Sequence, residues 1–287
     1  MKTRFLAAAL ALCACTAAHA APCNTTLPLM YAAREGDVPN VRCLLDNGAN
    51  ANATDDEGRT VLMEAARTGH IAIVRLLIEK GADVNAVTTK GKRAGFTALM
   101  GAVAYGHTDI ARLLIEKGAH VNAATDSGYT ALMGAEDFDT ALLLIEKGAH
   151  VNAATSEGDT VLMNAALAGH TNIVRLLIEK GAHVNAVSAK GRLAGTTALM
   201  GAAAGGHTDT AHLLIERGAQ VNAANKGGGT ALMFAAKFGR PDTVRLLLEK
   251  GANANAAASD GRTALDFAKA KGYFDIIQML RAAGAKE

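Results

Sequence analysis

Between residues 61 and 80 the apolar positions change rhythm. "VLMEAART" (61–68) is a short helical run, while "IAIVRLLIEK" (71–80), with Ile73, Val74, Leu76, Leu77 and Ile78, is apolar around most of its circumference. Thr60 stands where a hydroxyl can cap the first free amides of a helix, and Gly69 where a left-handed residue ends one. Lys80 and Gly81 give the second stop: a cation at the negative helix end, then a glycine. The pattern predicts two short helices, the second from about residue 71 to 80. A helix apolar on so many sides must be covered on more than one of them, and one helical hairpin cannot do that alone.

The cover comes from copies. The Thr that opens the first helix recurs at Thr60, Thr97, Thr130, Thr160, Thr197, Thr230 and Thr263, and Leu27 holds its place in a first unit. The intervals are 33, 37, 33, 30, 37, 33 and 33 residues. Eight such units stack into a solenoid whose stability comes from the interfaces between neighbours. The Thr-Ala-Leu-Met start, the Gly-His turn and the "GAHVNA" ending closely resemble the ankyrin repeat, over residues 25 to 285. That resemblance implies an all-α solenoid of eight helix-turn-helix repeats, with a β-turn finger projecting between "VNA" and the next Thr.

Three departures from the period stand out. A block of three repeats is duplicated at an offset of one hundred, and both copies carry a four-residue insertion in one finger. These fingers, near 88–96 and 188–196, are basic: Lys90, Lys92 and Arg93, then Lys190 and Arg192. Exposed cations on loops either keep the chain soluble or meet acidic groups of a partner. Repeat four, "TALMGAEDFDTALLLIEKG", lacks three residues and the Gly-His turn, which predicts a bend or a weak point in the stack. Its Glu136, Asp137 and Asp139 read as an exposed turn rather than as acid–base or calcium chemistry. The last repeat replaces Met with Asp266 and adds Lys269, Lys271, Gln278 and Arg281, as suits a cap facing water.

The first twenty residues are a separate object. Lys2 and Arg4 precede an uncharged apolar run, and Ala18-His19-Ala20 supplies a signal-peptidase pattern. Cleavage after Ala20 leaves residues 21–287 as the repeat domain. The alanine-rich leader looks bacterial and points to the periplasm. A loose lipoprotein box around Cys15 gives a lipid-anchored alternative, and secretion another. No other run approaches a membrane span. Losing Lys2 and Arg4 leaves 27 basic against 27 acidic residues, so nothing steers the domain to nucleic acid or an anionic membrane. Export would leave Cys23 and Cys43 in an oxidising compartment, where they pair, or Cys43 serves as a small core hydrophobe.

Chemical motifs are absent: no His-Glu-x-x-His, Gly-x-Ser-x-Gly or phosphate loop, and no Cys-x-x-Cys after the leader. His70, His107, His170 and His207 follow the inter-helix Gly and read as structural. His120, His150 and His183 form a second column, but neighbouring repeats set them roughly 10 Å apart, too far for one ion. The methionine column (Met30, Met63, Met100, Met133, Met163, Met200, Met233) fills the gaps between stacked helices; copper binding or redox sensing is its functional rival. The expectation is no catalysis, no cofactor and no metal. The resemblance implies instead a monomer that holds a partner protein on its concave face of fingers and first helices. Carried onto this chain, the variable positions of that face hold Tyr31, Phe96, Tyr105, Tyr129, Phe234 and Phe238, six of the ten aromatics after the leader. Glu64, Arg67, Asp159, Asn164, Lys237 and Arg262 lie among them. Aromatics beside cations make interface anchors. The chain resembles small bacterial periplasmic ankyrin proteins, some linked to catalase and oxidative stress; immunity against an exported toxin is the other binding reading.

Overall fold

A computed structural model describes residues 28–91, 93–191 and 194–286. Each repeat runs from a first helix through a tight turn to a second helix and then out to a finger. The first helices are Leu29–Glu35, Val61–Thr68, Ala98–Ala104, Val161–Ala168, Ala198–Gly205, Ala231–Lys237 and Ala264–Lys271. The second helices are Val38–Asp46, Ile71–Glu79, Thr108–Glu116, Phe138–Glu146, Thr171–Glu179, Thr208–Glu216, Pro241–Glu249 and Phe274–Ala282. Repeat four differs: its first helix is a single 3-10 turn, Ala131–Gly134.

The local signals act as the sequence predicts. The hydroxyls of Thr60, Thr97, Thr160, Thr197 and Thr230 accept from the backbone N–H three residues on, at 3.2–3.4 Å. At Thr263 that amide belongs to Asp266, whose carboxylate also accepts from the Thr263 N–H at 2.8 Å. The Asp that replaces Met in the last repeat thus completes a reciprocal cap. Gly69 ends its helix at φ +83, and a Cβ there would stand 2.6 Å from Cε1 of His107. Only glycine fits, both for its backbone and for the ring packed over it.

The core is one continuous column. Leu62, Leu77, Leu99, Leu114, Leu144, Leu162, Leu177 and Leu199 are fully enclosed, and each contributes about 1.5–3 kcal/mol through burial. The methionines from Met63 to Met233 lie buried beside them, with Met30 half-covered at the end. Sδ of Met63 accepts from the Thr60 N–H at 3.4 Å. Three of the four inter-helix histidines are structural in the same sense. Nε2–H of His70, His107 and His207 donates to the carbonyl of Arg34, Arg67 and Leu167 in the preceding repeat.

Two polar ladders add direction to the stack. In the first, the Asn of each "VNA"-type ending bridges to the next repeat. Asn152 Nδ2 donates to the Gly181 carbonyl at 2.9 Å, and its Oδ1 accepts from the His183 N–H at 2.9 Å. Asn52, Asn85, Asn122, Asn185, Asn222 and Asn255 do the same at the other joints. The second ladder links fingers, for example Ala189 N–H to the Glu157 carbonyl at 2.7 Å and Ser156 N–H to the Ser127 carbonyl at 2.8 Å. Asn152→Ala should therefore lower stability by about 1 kcal/mol, because it removes two hydrogen bonds at a joint while the freed, exposed backbone groups return to water. An unchanged urea midpoint would remove the ladder from the list of stabilising contacts.

The first ladder also explains the second histidine column. At His120, His150 and His183 only the backbone N–H is used by the preceding Asn, and the rings point to solvent. Among the described residues no three of His, Cys, Asp and Glu gather as a metal set. No described helix is long and apolar enough to cross a membrane.

Candidate functional site: the groove between fingers and first helices

Fingers and first helices enclose a run of open depressions along one side of the stack. Over repeats two and three a depression of about 350 Å³ is lined by Glu57, Arg59, Glu64, Arg67, Lys90, Arg93 and Phe96. It shares Arg93 and Phe96 with a shallower one of about 560 Å³ that reaches Tyr105 and Tyr129. Over repeats five to seven lies a depression of about 500 Å³, bounded by Asp159, Leu167, Lys190, Phe234 and Phe238. A last one, about 470 Å³, runs from Phe234 and Lys237 to Arg262 and Phe267.

The residues expected on this face are all among the described ones, with unequal exposure. Tyr31, Tyr105 and Phe238 stand about half exposed, at 48%, 50% and 46%. Phe96, Tyr129 and Phe234 are half-buried and pack partly on the core. Tyr129 lies over the shortened repeat, where a Cβ on Gly134 would collide with its hydroxyl; burial raises its phenol's pKa. Arg67 and Lys237 are both seated on rings, 5.4 Å from the centres of Tyr105 and Phe238 respectively. Arg93 lies 5.5 Å over Phe96, and Arg262 4.6 Å over Phe267. Cations held flat on aromatics form surfaces that are apolar and charged at once.

One expected member of the face is elsewhere. Glu64 is 3% exposed and sits beneath the surface. Its Oε1 accepts from Arg67 Nη2 at 2.8 Å and from Arg34 Nε at 2.6 Å, and Oε2 accepts from Arg67 Nε at 3.1 Å. The Arg67 guanidinium first, and Arg34 after it, hold the carboxyl down to about 2 despite burial. Arg67 is correspondingly raised. Glu64 is thus a buried anchor that fixes two arginines: Arg67, which lines the groove, and the half-exposed Arg34.

The second copy of the duplicated block keeps the core and changes the groove. Leu62, Leu76, Leu99 and Leu114 recur as Leu162, Leu176, Leu199 and Leu214. At groove positions Arg59, Glu64, Arg67, Phe96, Tyr105 and Tyr129 are matched by Asp159, Asn164, Leu167, Thr196, Gly205 and Gly229. Comparing the chain with itself at that offset was the signal able to single out Leu167, which is 56% exposed in the groove. Lys92, Arg192 and Cys23 lie outside the described residues, so the fingertips are represented by Lys90, Arg93 and Lys190. Cys43 is half-buried on its helix, near Asn47.

The family model described as ankyrin repeats (3 copies) matches residues 5–88, 87–155, 136–225 and 221–286. No curated protein matches the chain.

Proposed function

We propose, for a chain that belongs to the ankyrin repeat family, that its groove of fingers and first helices holds one partner protein in an exported, non-enzymatic scaffold. Ankyrin stacks are generally protein-binding modules. The observation that carries the reading is the placement of Tyr105 and Phe238: large rings, half exposed, each with a cation on its face, on a surface the fold does not need them to cover. Such residues bury much area on binding for little lost side-chain entropy. Arg67, Lys237, Phe96 and Phe234 form their surroundings. The partner is best sought in the compartment to which the leader directs the chain, the periplasm, and oxidative-stress enzymes of the catalase type come first on the family resemblance.

Phe238→Ala should weaken partner binding about tenfold while leaving the helical circular dichroism spectrum and the urea midpoint intact. Equal affinity in a folded Phe238→Ala and Tyr105→Ala pair would sink the reading. Export has its own test. The intact mass of the exported protein should correspond to a chain starting at Ala21 and two hydrogens lighter than the reduced form, as a Cys23–Cys43 bridge requires. A lipidated chain beginning at Cys15 would overturn the soluble form, and a mass unchanged by reduction would overturn the bridge.

A further inference from the structure

We infer that the groove over repeats two to four takes an acidic segment of the partner, whereas its copy over repeats five to seven does not. This rests on the reading that the face binds a protein, and it assigns the chemistry of one part of that protein. One buried carboxylate, Glu64, accepts bonds from two guanidiniums, Arg34 and Arg67. Two positive charges against one negative leave one positive charge in excess at that point. Both guanidiniums are also held in fixed orientation. The Arg34 side chain stays 50% exposed and the Arg67 side chain 31%. A guanidinium oriented in advance loses little freedom when a carboxylate arrives, and its remaining N–H donors match that group.

The long basic finger adds to the excess. Lys90 and Arg93 border the same depression as Arg67, and neither is in an ion pair among the described residues. Arg93 is instead laid over Phe96. The groove then continues into Tyr105, which offers apolar area between charges. The matching occupant carries carboxylates interspersed with apolar side chains. A nucleic-acid strand fits less well, because the same depression contains Glu57, which would meet a continuous line of phosphates.

The copy of the block gives an internal comparison. At an offset of one hundred, Glu64 and Arg67 are matched by Asn164 and Leu167 and Arg59 by Asp159, so the buried anchor and the arginine it fixes are lost together. Among the described residues, the corresponding depression holds Glu157 and Asp159 against Lys190. The two halves of the groove share a backbone plan and differ in sign.

Fluorescence anisotropy of the folded chain with short labelled peptides tests this. The probes are a peptide alternating Glu and Leu, the same peptide with Gln for Glu, one with Lys for Glu, and a labelled oligothymidine. The Glu peptide should bind about tenfold more tightly than the Gln peptide at low salt, and the preference should shrink as salt is raised. Arg67→Leu, which installs the residue of the copy, should remove most of that preference, and so should Arg93→Ala, which leaves the Glu64 anchor intact. Lys190→Ala should not. Equal binding of Glu and Gln peptides, insensitivity to both arginine variants, or displacement of the acidic peptide by oligothymidine would each overturn the inference. Failure of the acidic probe alongside a natural partner still dependent on Phe238 would end the acidic-segment inference and leave the scaffold reading standing. Loss of both dependences would end the two together.

Discussion

Glu64→Gln should lower the stability of the stack by about 2 kcal/mol at pH 7 and should flatten its acid sensitivity. The direction follows from linkage. The Glu64 carboxyl has a folded value of about 2, below its ordinary 4.5, because Arg67 and then Arg34 bond its charged form. A depressed carboxyl contributes stability that is fully present above its unfolded value. That contribution is lost as pH falls from about 4.5 through about 2. Taken at face value the shift corresponds to about 3 kcal/mol. Both guanidiniums reach solvent, so water screens part of it, and about 2 kcal/mol is the better expectation. Denaturant midpoints of the wild type and Glu64→Gln, measured from pH 7 down to pH 2, should differ most at pH 7 and converge at the acid end. Curves that stay parallel would show that the carboxylate is not what holds the arginines. The variant should also bind the acidic peptide less well than wild type, since Arg67 would lose its fixed orientation.

What the sequence disclosed and what it withheld divide along a physical line. The Thr caps, the glycines at helix ends and the enclosed leucines were legible because each depends on residues within one or two turns. The Asn ladder was not. Its bonds run from Asn152 to Gly181 and His183, and from Asn185 to Gly218 and Gln220, so each rung spans a whole repeat. Nothing local distinguishes an Asn that bridges from one that caps a turn. Glu64 was misplaced for a related reason. Its pairing with Arg67, three residues on, is readable on a helix, but the second partner is Arg34, thirty residues earlier. Two cations converging on one carboxylate are what favour its burial, and only the stacking of repeats one and two brings them there. In repeat four the missing residues showed in the interval. Their effect on Thr130 did not, because the Thr-Ala-Leu-Met around it is unchanged.

That repeat is where the stack should divide. In the 3-10 turn Ala131–Gly134 no amide reaches the Thr130 hydroxyl, which is buried without a partner. Gly106 has open space where Gly69 is covered by His107. His170 makes no bond to repeat four of the kind its counterparts make, and a cavity of about 140 Å³ opens beside it, lined by Tyr129, Gly134, Ala135 and Asn164 among others. The second helix, Phe138–Glu146, carries most of the joint's packing through Ala141, Leu143, Leu144 and the bond between Thr140 and Thr108 at 2.5 Å, beside the buried Leu132 and Met133 and the Asn rungs. In a stack the stability is a sum of repeat and neighbour-interface contributions, so the weakest pair of interfaces decides whether the two ends unfold together. Leu144 is fully enclosed, and Leu144→Ala should cost about 3 kcal/mol in lost burial and cavity. Placed at this joint, that loss should split one cooperative unfolding into two, with repeats one to three and five to eight melting separately and each showing a smaller denaturant slope than the whole. Leu77→Ala in repeat two removes an equally enclosed side chain from regular interfaces, and it should lower the midpoint while keeping one transition. Urea unfolding read by hydrogen exchange along the chain distinguishes the two: in Leu144→Ala, Ala131–Gly134 should exchange first and the flanking blocks at different urea concentrations. A single transition with uniform exchange in that variant would mean that the second helix alone couples the halves, and that the missing turn costs the stack little.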